Sequence, residues 1–165
     1  METINAGILT LSDRATSGAY NDRSGPAVQS YLEDHLANPL NILTRVLPDE
    51  EKLIRDTLIE FSDIMACNII CTTGGTGPAM RDVTPEATVE VCRITLPGFG
   101  EEMRRISLQE VPTALLSRQT AGLRGSCLIV NLPGNPKAIS VCLDAVIKAV
   151  PGAVHISGGP EITLK

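Results

Sequence analysis

The chain has 165 residues, of which 43% are hydrophobic, 20% charged and only 2% aromatic, with a net charge of −5 and a pI near 5.0. This length predicts a single domain spanning residues 1–165. The acidic balance and the scarcity of aromatic side chains disfavour nucleic acid as a partner, and the negative charge also disfavours anionic membranes. The absence of a signal-like N-terminus and the five cysteines without a CxxC pair are typical of a cytoplasmic protein with reduced thiols.

Apolar runs alternate with helical patterns from the N-terminus onward, as in α/β domains. Residues 4–11 read as a strand, followed by a polar loop and a helix from residue 26 to residue 38. A second strand at residues 40–47 leads into a helix that begins near residue 48, where acidic residues favour a helix start. The pattern therefore predicts a sheet of apolar strands separated by helices.

The second half of the chain continues the alternation. Residues 67–72 read as a short, almost wholly apolar strand, typical of the centre of a parallel sheet. We predict helices at residues 84–93 and 98–109, a hairpin of strands at 114–124 and 126–132, and a last helix from residue 135 that ends at Pro151-Gly152. No apolar run approaches the roughly 18 residues that a membrane span needs.

A glycine-rich segment follows the third predicted strand directly. Its candidate phosphate-binding residues are Thr73, Gly74, Gly75, Thr76 and Gly77. Glycines let backbone N–H groups converge on an anion, and the threonines add hydroxyl donors. The segment is neither a Walker A loop nor a dinucleotide fingerprint, and the missing lysine weakens a kinase interpretation. A tight structural turn is the alternative, but the position at the carboxyl end of a strand favours phosphate binding.

Two carboxylates accompany this segment. Asp82 lies a few residues beyond the glycines, and Asp49 ends the second predicted strand. Each residue alone could equally cap a helix. If the second and third strands are parallel neighbours, both carboxylates lie over one sheet edge and could hold Mg²⁺ beside a phosphate. We interpret Arg81 as a solvated surface charge.

Two further loops lie at the same predicted edge. Asp22, Ser24 and Gly25 precede one helix, and Asn135 precedes another. Helix N-termini favour anions, although a capping turn explains each of these residues taken singly. Four loops that converge on one edge are harder to explain by capping alone. The residues by themselves therefore indicate a phosphate ligand with Mg²⁺.

Several motifs resemble those of the molybdopterin adenylyltransferases, a family related to the gephyrin G domain. They span nearly the whole chain and occur in the family's order. The matching segments are residues 11–14, 47–50, 72–78, 81–85, 96–101, 116–119 and 131–137.

The resemblance implies a three-layer αβα fold with a mostly parallel central sheet, assembled as a homotrimer. It implies that the enzyme transfers AMP from ATP to molybdopterin with Mg²⁺ and releases pyrophosphate. Asp49 and Asp82 become the catalytic, metal-associated carboxylates, Ser117 a pterin-side contact, and the Gly74–Gly77 loop the nucleotide phosphate site. A molybdenum insertase is the implied partner. The resemblance also implies, less specifically, a substrate-binding role for Asp22, Ser24, Gly25 and Asn135.

Two alternatives remain open. One is a B-type molybdenum cofactor biosynthesis protein of the same fold, some members of which lack the activity. The other is a non-catalytic scaffold that uses the fold only for binding. The presence of both Asp49 and Asp82 favours an enzyme over a scaffold.

Overall fold

The computed structural model describes residues 1–165 and contains one six-stranded sheet. The strands are Ile4–Leu11 (β1), Leu40–Leu47 (β2), Ile69–Thr73 (β3), Ile94–Thr95 (β4), Ala121–Arg124 (β5) and Cys127–Leu132 (β6). They are arranged in the order β2-β1-β3-β6-β5-β4. β2, β1, β3 and β6 are parallel, whereas β5 and β4 extend the sheet through antiparallel pairings. The mostly parallel sheet is confirmed.

The helices lie on both faces of this sheet. They are Asp13–Thr16 (α1), Ser24–His35 (α2), Glu51–Ile59 (α3), Thr84–Val91 (α4), Pro97–Ser107 (α5), Pro136–Val146 (α6) and Val150–Ile156 (α7). A π-helical turn, Glu60–Ile64, prolongs α3, and a 3₁₀ turn, Ile147–Ala149, joins α6 to α7.

The strands bury side chains on both faces, which divides the core into two clusters. In β1, Ile8 belongs to a cluster of 24 buried residues covered by α2, α5, α6 and α7. The next residue, Leu9, belongs to a cluster of 12 covered by α3 and α4. β3 alternates in the same way, with Ile69 in the larger cluster and Ile70 in the smaller one. The three-layer αβα architecture is therefore confirmed.

Two predicted elements are wrong. Residues 114–120 are not a strand: Pro112–Leu116 form a 3₁₀ turn, and the strand begins only at Ala121. This turn exposes Leu115 by 72%, so its apolar residues are not a buried strand face. Pro151 does not end the last helix, because it occupies the first turn of α7, where proline needs no N–H partner. The hairpin through Gly125 is confirmed.

By length and composition only, the helical segment Pro136–Ile156 is long and apolar enough to cross a membrane, with a mean hydropathy of 1.6 in its most apolar part. This corrects the expectation that no such stretch exists. Helices in the core of a globular domain can have the same length and composition. In this protein Ile139, Leu143 and Val154 lie in the larger core cluster, packed against the sheet.

Candidate functional site

Four loops meet at one edge of the sheet, because β2, β1, β3 and β6 are parallel and end there together. The last residues of these strands are in register: Leu11 pairs with Leu47, and Thr73 pairs with both Thr10 and Leu132. Ligands of open parallel sheets bind beyond this edge. The predicted convergence of the loops is confirmed. The premise that β2 and β3 are neighbours is wrong, since β1 lies between them.

The glycine loop after β3 has the conformation that its composition predicts. Gly74 and Gly75 have φ values of +97° and +66°, in the left-handed region that glycine adopts readily. A Cβ on Gly74 would lie 2.3 Å from the Leu11 carbonyl oxygen, and one on Gly75 would lie 2.3 Å from Thr84 Oγ1. Thr84 fixes the loop, since its hydroxyl donates to the Gly74 carbonyl at 2.9 Å.

The two predicted threonine donors have different surroundings. Thr73 is fully buried, and its hydroxyl donates to the Pro133 carbonyl oxygen at 2.8 Å. In this structure it joins two of the loops at the edge. Thr76, by contrast, lines a cavity beside the loop. Phosphate binding by these residues stays a prediction.

Asp49 is held over the glycine loop by a reciprocal pair of hydrogen bonds with Asp13. The Asp13 N–H donates to Asp49 Oδ2 and the Asp49 N–H donates to Asp13 Oδ1, each at 3.0 Å. Asp49 Oδ1 is buried without a hydrogen-bond partner and lies 3.2 Å from where a Cβ on Gly75 would be. Burial, the largest cause, raises the pKa of Asp49. The hydrogen bond from the Asp13 N–H lowers this pKa in part, and the negative charges of Asp13 and Asp82 raise it.

Asp82 closes the turn that follows the glycines. Its Oδ2 accepts from the Ala79 N–H at 3.0 Å and lies 2.8 Å from where a Cβ on Gly77 would be. The neighbouring Arg81 forms a two-point ion pair with Asp13, at 3.0 and 2.8 Å. The Arg81 side chain is 61% exposed, as its interpretation as a surface charge expects. It also connects the turn that contains Asp82 to Asp13, the residue that holds Asp49.

Arg118 connects the Asp82 turn to the other side of the site. Its Nε donates to the Gly77 carbonyl at 2.9 Å and its Nη2 to the Asp82 carbonyl at 2.8 Å. Its backbone N–H donates to the Thr76 carbonyl at 2.8 Å, and its Nη1 contacts Glu86. Burial alone would raise the pKa of Glu86, but hydrogen bonds, chiefly from Arg118, lower it below its usual value.

A cavity of about 280 Å³ lies beside the glycine loop, between the 3₁₀ turn and α6. Thr76 and Gly77 form one part of its wall, and Ser117 and Asn135 form others. The Ser117 hydroxyl donates to the buried Gln119 side chain. Asn135 caps α6, because its side chain accepts from the Lys137 N–H at 3.0 Å. Ser117 and Asn135 therefore share one cavity next to the glycine loop.

Asp22, Ser24 and Gly25 form a separate cluster at the start of α2. Asp22 accepts from the Thr10 hydroxyl at 2.7 Å, from the Ser24 hydroxyl at 3.2 Å and from the Gly25 N–H at 3.0 Å. None of these residues lines the cavity that contains Ser117. In this structure Asp22 accepts from the first two residues of α2 and, through the Thr10 hydroxyl, fastens the start of α2 to β1.

Sequence reasoning missed Asp13 and Arg118 as parts of the site. Both stand inside the matching motifs, but their partners are far away in sequence: 36 residues separate Asp13 from Asp49, and 41 separate Arg118 from Gly77. No group of three or more His, Cys, Asp or Glu side chains is arranged to hold a metal ion. The unpartnered Asp49 Oδ1 nevertheless fits a cation shared with ligand phosphates, because Mg²⁺ commonly uses only one or two protein carboxylates.

Residues 7–152 match the family model described as "Probable molybdopterin binding domain". The chain belongs to this family. The molybdopterin adenylyltransferase of Helicobacter pylori is 53% identical over 156 residues, which cover 94% of this chain and 89% of that protein. The Escherichia coli molybdopterin adenylyltransferase is 49% identical over 158 residues, covering 96% and 80%. These relatives confirm the resemblance inferred from the motifs.

A solved structure supports the same fold. The molybdopterin biosynthesis enzyme MoaB from Thermus thermophilus superposes with a TM-score of 0.86 at 39% identity, covering 96% of this chain and 99% of that one. The family thus includes proteins named for both branches considered above. The relatives at 48–53% identity are all named molybdopterin adenylyltransferases, which are nucleotidyltransferases.

Proposed function

We propose that this chain is a molybdopterin adenylyltransferase of molybdenum cofactor biosynthesis, which transfers AMP from ATP to molybdopterin and releases pyrophosphate. It would act in the cytoplasm as a single domain that assembles into a homotrimer and passes its product to a molybdenum insertase. The five free cysteines, four of them buried, are consistent with a reducing compartment.

One observation in the structure carries the proposal: a ligand-sized cavity adjoins a glycine loop flanked by two carboxylates. Gly77 belongs both to the wall of the cavity and to the turn that Asp82 closes. A pterin held beside Ser117 would therefore have its phosphate directed toward the loop, where ATP phosphates can bind. This juxtaposition is what a transfer between two phosphorylated compounds requires.

The reaction needs alignment and charge neutralisation rather than a protein nucleophile. The terminal phosphate of molybdopterin attacks the α-phosphorus of ATP, a new P–O bond forms, and the bond to the β-phosphate oxygen breaks. The glycine loop would orient the ATP phosphates through its N–H groups. Asp49 and Asp82, which do not line the cavity, would help to orient the reacting groups.

Mg²⁺ would be held by Asp49 Oδ1 and the Asp82 carboxylate together with ATP phosphate oxygens. Bound there, it supplies neutralisation of the phosphate charge. Asp13 and Arg81 hold the protein side of that arrangement, since they fix the orientation of Asp49 before any ligand arrives.

A B-type protein without the activity is the second candidate, favoured by the 39% identity to the T. thermophilus MoaB. The higher identity to adenylyltransferases, up to 53%, favours the enzyme. The two candidates make different predictions for ATP turnover.

The experiment that tests the proposal is an assay of pyrophosphate release with molybdopterin, ATP and Mg²⁺, and with each component omitted in turn. We expect release only when all three are present. Nucleotide binding without release would support the B-type or scaffold alternative, and release without molybdopterin would indicate simple ATP hydrolysis.

A further inference from the structure

Two parts of the candidate site are joined by a single side chain. The turn from Gly77 to Asp82 carries one carboxylate, and the segment from Ser117 to Gln119 lines the cavity. Arg118 lies in the second part and donates to backbone carbonyl oxygens at both ends of the first, Gly77 and Asp82. Its guanidinium therefore spans the turn.

The turn has few other attachments. The hydrogen bonds between Ala79 and Asp82 lie within the turn, both at 3.0 Å. From Gly77 to Asp82, the hydrogen bonds to the rest of the protein come from Arg118 and from the Arg81 pair with Asp13. The Arg81 pair attaches the turn through the Arg81 side chain, whereas Arg118 bonds to backbone carbonyl oxygens, so the Arg81 pair restrains the backbone of the turn less directly.

The cavity side of this connection is itself rigidly held. Arg104, which lies on α5, donates to the Gln119 carbonyl oxygen at 2.7 Å. The Gln119 side chain is buried and donates to Cys142 Sγ at 3.5 Å. Arg118 thus extends from a fixed segment to a turn that has little else to fix it. Glu86 on α4 holds the third nitrogen of the guanidinium and sets its orientation.

We propose that Arg118 is a positioning residue that fixes the Asp82 carboxylate relative to the cavity beside Ser117. This inference rests on the proposed function and concerns the same site. The three contacts need three N–H donors in a planar fork, which lysine, a point charge on a flexible stem, cannot reproduce.

The first test is amide hydrogen exchange of Arg118→Lys in the full-length protein. We expect the Ala79 and Asp82 amides to exchange at least about tenfold faster than in the wild type, because the turn opens locally without global unfolding. The matched control is Arg124→Lys: Arg124 also donates to a backbone carbonyl, that of Val91 at 2.8 Å, and to a carboxylate, Asp63, but away from the site. This control should leave both amides unchanged.

The second test uses the steady-state assay of AMP transfer. Arg118→Lys should lower kcat by about tenfold or more and change the KM for ATP by less than about threefold, since misplacement of Asp82 acts mainly in the transition state. Glu86→Gln, which retains Arg118, should shift exchange and kcat in the same direction by a smaller factor. Arg124→Lys should retain wild-type kcat.

The two tests separate this inference from the proposed function. Wild-type exchange at Ala79 and Asp82 in Arg118→Lys would overturn the inference, as would faster exchange with an unchanged kcat. If the wild type itself shows no AMP transfer, the proposed function fails, and no residue positions Asp82 for that reaction.

Discussion

Asp49 Oδ1 is the one buried side-chain polar atom in the molecule without a hydrogen-bond partner. Leaving such a group unmatched costs stability, so unpartnered buried polar atoms tend to mark functional positions. Its neighbours are the glycine loop and Asp82, both part of the candidate site. The catalytic role inferred for Asp49 and Asp82 stays a prediction, and this unpartnered oxygen is the observation that motivates it.

Replacing either carboxylate by its amide should reduce turnover and preserve the fold. In Asp82→Asn the amide oxygen can still accept from Ala79, and in Asp49→Asn it can still accept from Asp13. We expect turnover to fall by more than about tenfold, a loss of about 1.4 kcal/mol or more of transition-state stabilisation. Steady-state assays with circular dichroism as the fold control measure this, and wild-type turnover in both variants would refute the assignment.

The raised pKa of Asp49 predicts how stability depends on pH. Burial, the largest cause, disfavours the charged form in the folded state. Between the unfolded and folded pKa values the native state binds more protons, so this group's contribution to stability decreases as pH rises through that window.

Asp49→Asn should therefore raise the thermal midpoint relative to wild type at pH 7. This advantage should shrink as the pH falls from the raised pKa of folded Asp49 toward the ordinary carboxyl pKa of 3.8, below which Asp49 is neutral in both states. Thermal melts of both proteins from neutral to acidic pH provide the measurement. A variant that is less stable than wild type at pH 7, with a difference independent of pH, would contradict the expected sign.

At the scale of secondary structure, the glycine loop is the element that the sequence determined most closely. The positive φ angles of Gly74 and Gly75 follow from their composition and their position after a buried strand. The 3₁₀ turn at Pro112–Leu116 could not be inferred in this way, because its exposed leucines imitate the apolar run of a strand.

The loop can be tested by two glycine replacements with similar backbone angles. Gly75 and Gly125 have φ values of +66° and +55°, so the left-handed backbone alone should cost alanine about 1–2 kcal/mol of folding stability at either position. A Cβ at position 75 would lie 2.3 Å from Thr84 Oγ1 and 3.2 Å from Asp49 Oδ1, both at the candidate site. A Cβ at position 125 would have no atom within 4 Å.

We therefore expect Gly75→Ala to lose at least about tenfold in turnover and Gly125→Ala to retain wild-type turnover. Chemical denaturation and steady-state assays of the two variants make the comparison. Equal activity in both variants would show that the loop does not contribute to the site.

At the scale of the whole molecule, the parallel order of four strands brings the site together. Sequence patterns predicted the alternation of strands and helices, but not that β1 separates β2 from β3. Strand order depends on how distant segments pack together. The hydrophobic periodicity of one segment does not show which strand lies next to it. For the same reason Asp13 and Arg118, whose partners are 36 and 41 residues away, could not be assigned from sequence.

The proposed homotrimer is a property of the whole molecule that solution measurements can test. Sedimentation equilibrium should give a mass three times that of the 17.5 kDa chain at micromolar concentration. The mass should be the same in Asp82→Asn, because that residue serves the site. A mass equal to one chain would contradict the predicted assembly.

The most direct test of the central claim follows the AMP group itself. The purified protein is incubated with molybdopterin, Mg²⁺ and ATP labelled at the α-phosphate, with Asp82→Asn and Gly125→Ala in parallel. We predict that the label appears in adenylyl-molybdopterin with the wild type and Gly125→Ala, and at less than about one tenth of that rate with Asp82→Asn. Label that remains in ATP with the wild type, or that transfers equally well with Asp82→Asn, would contradict the account.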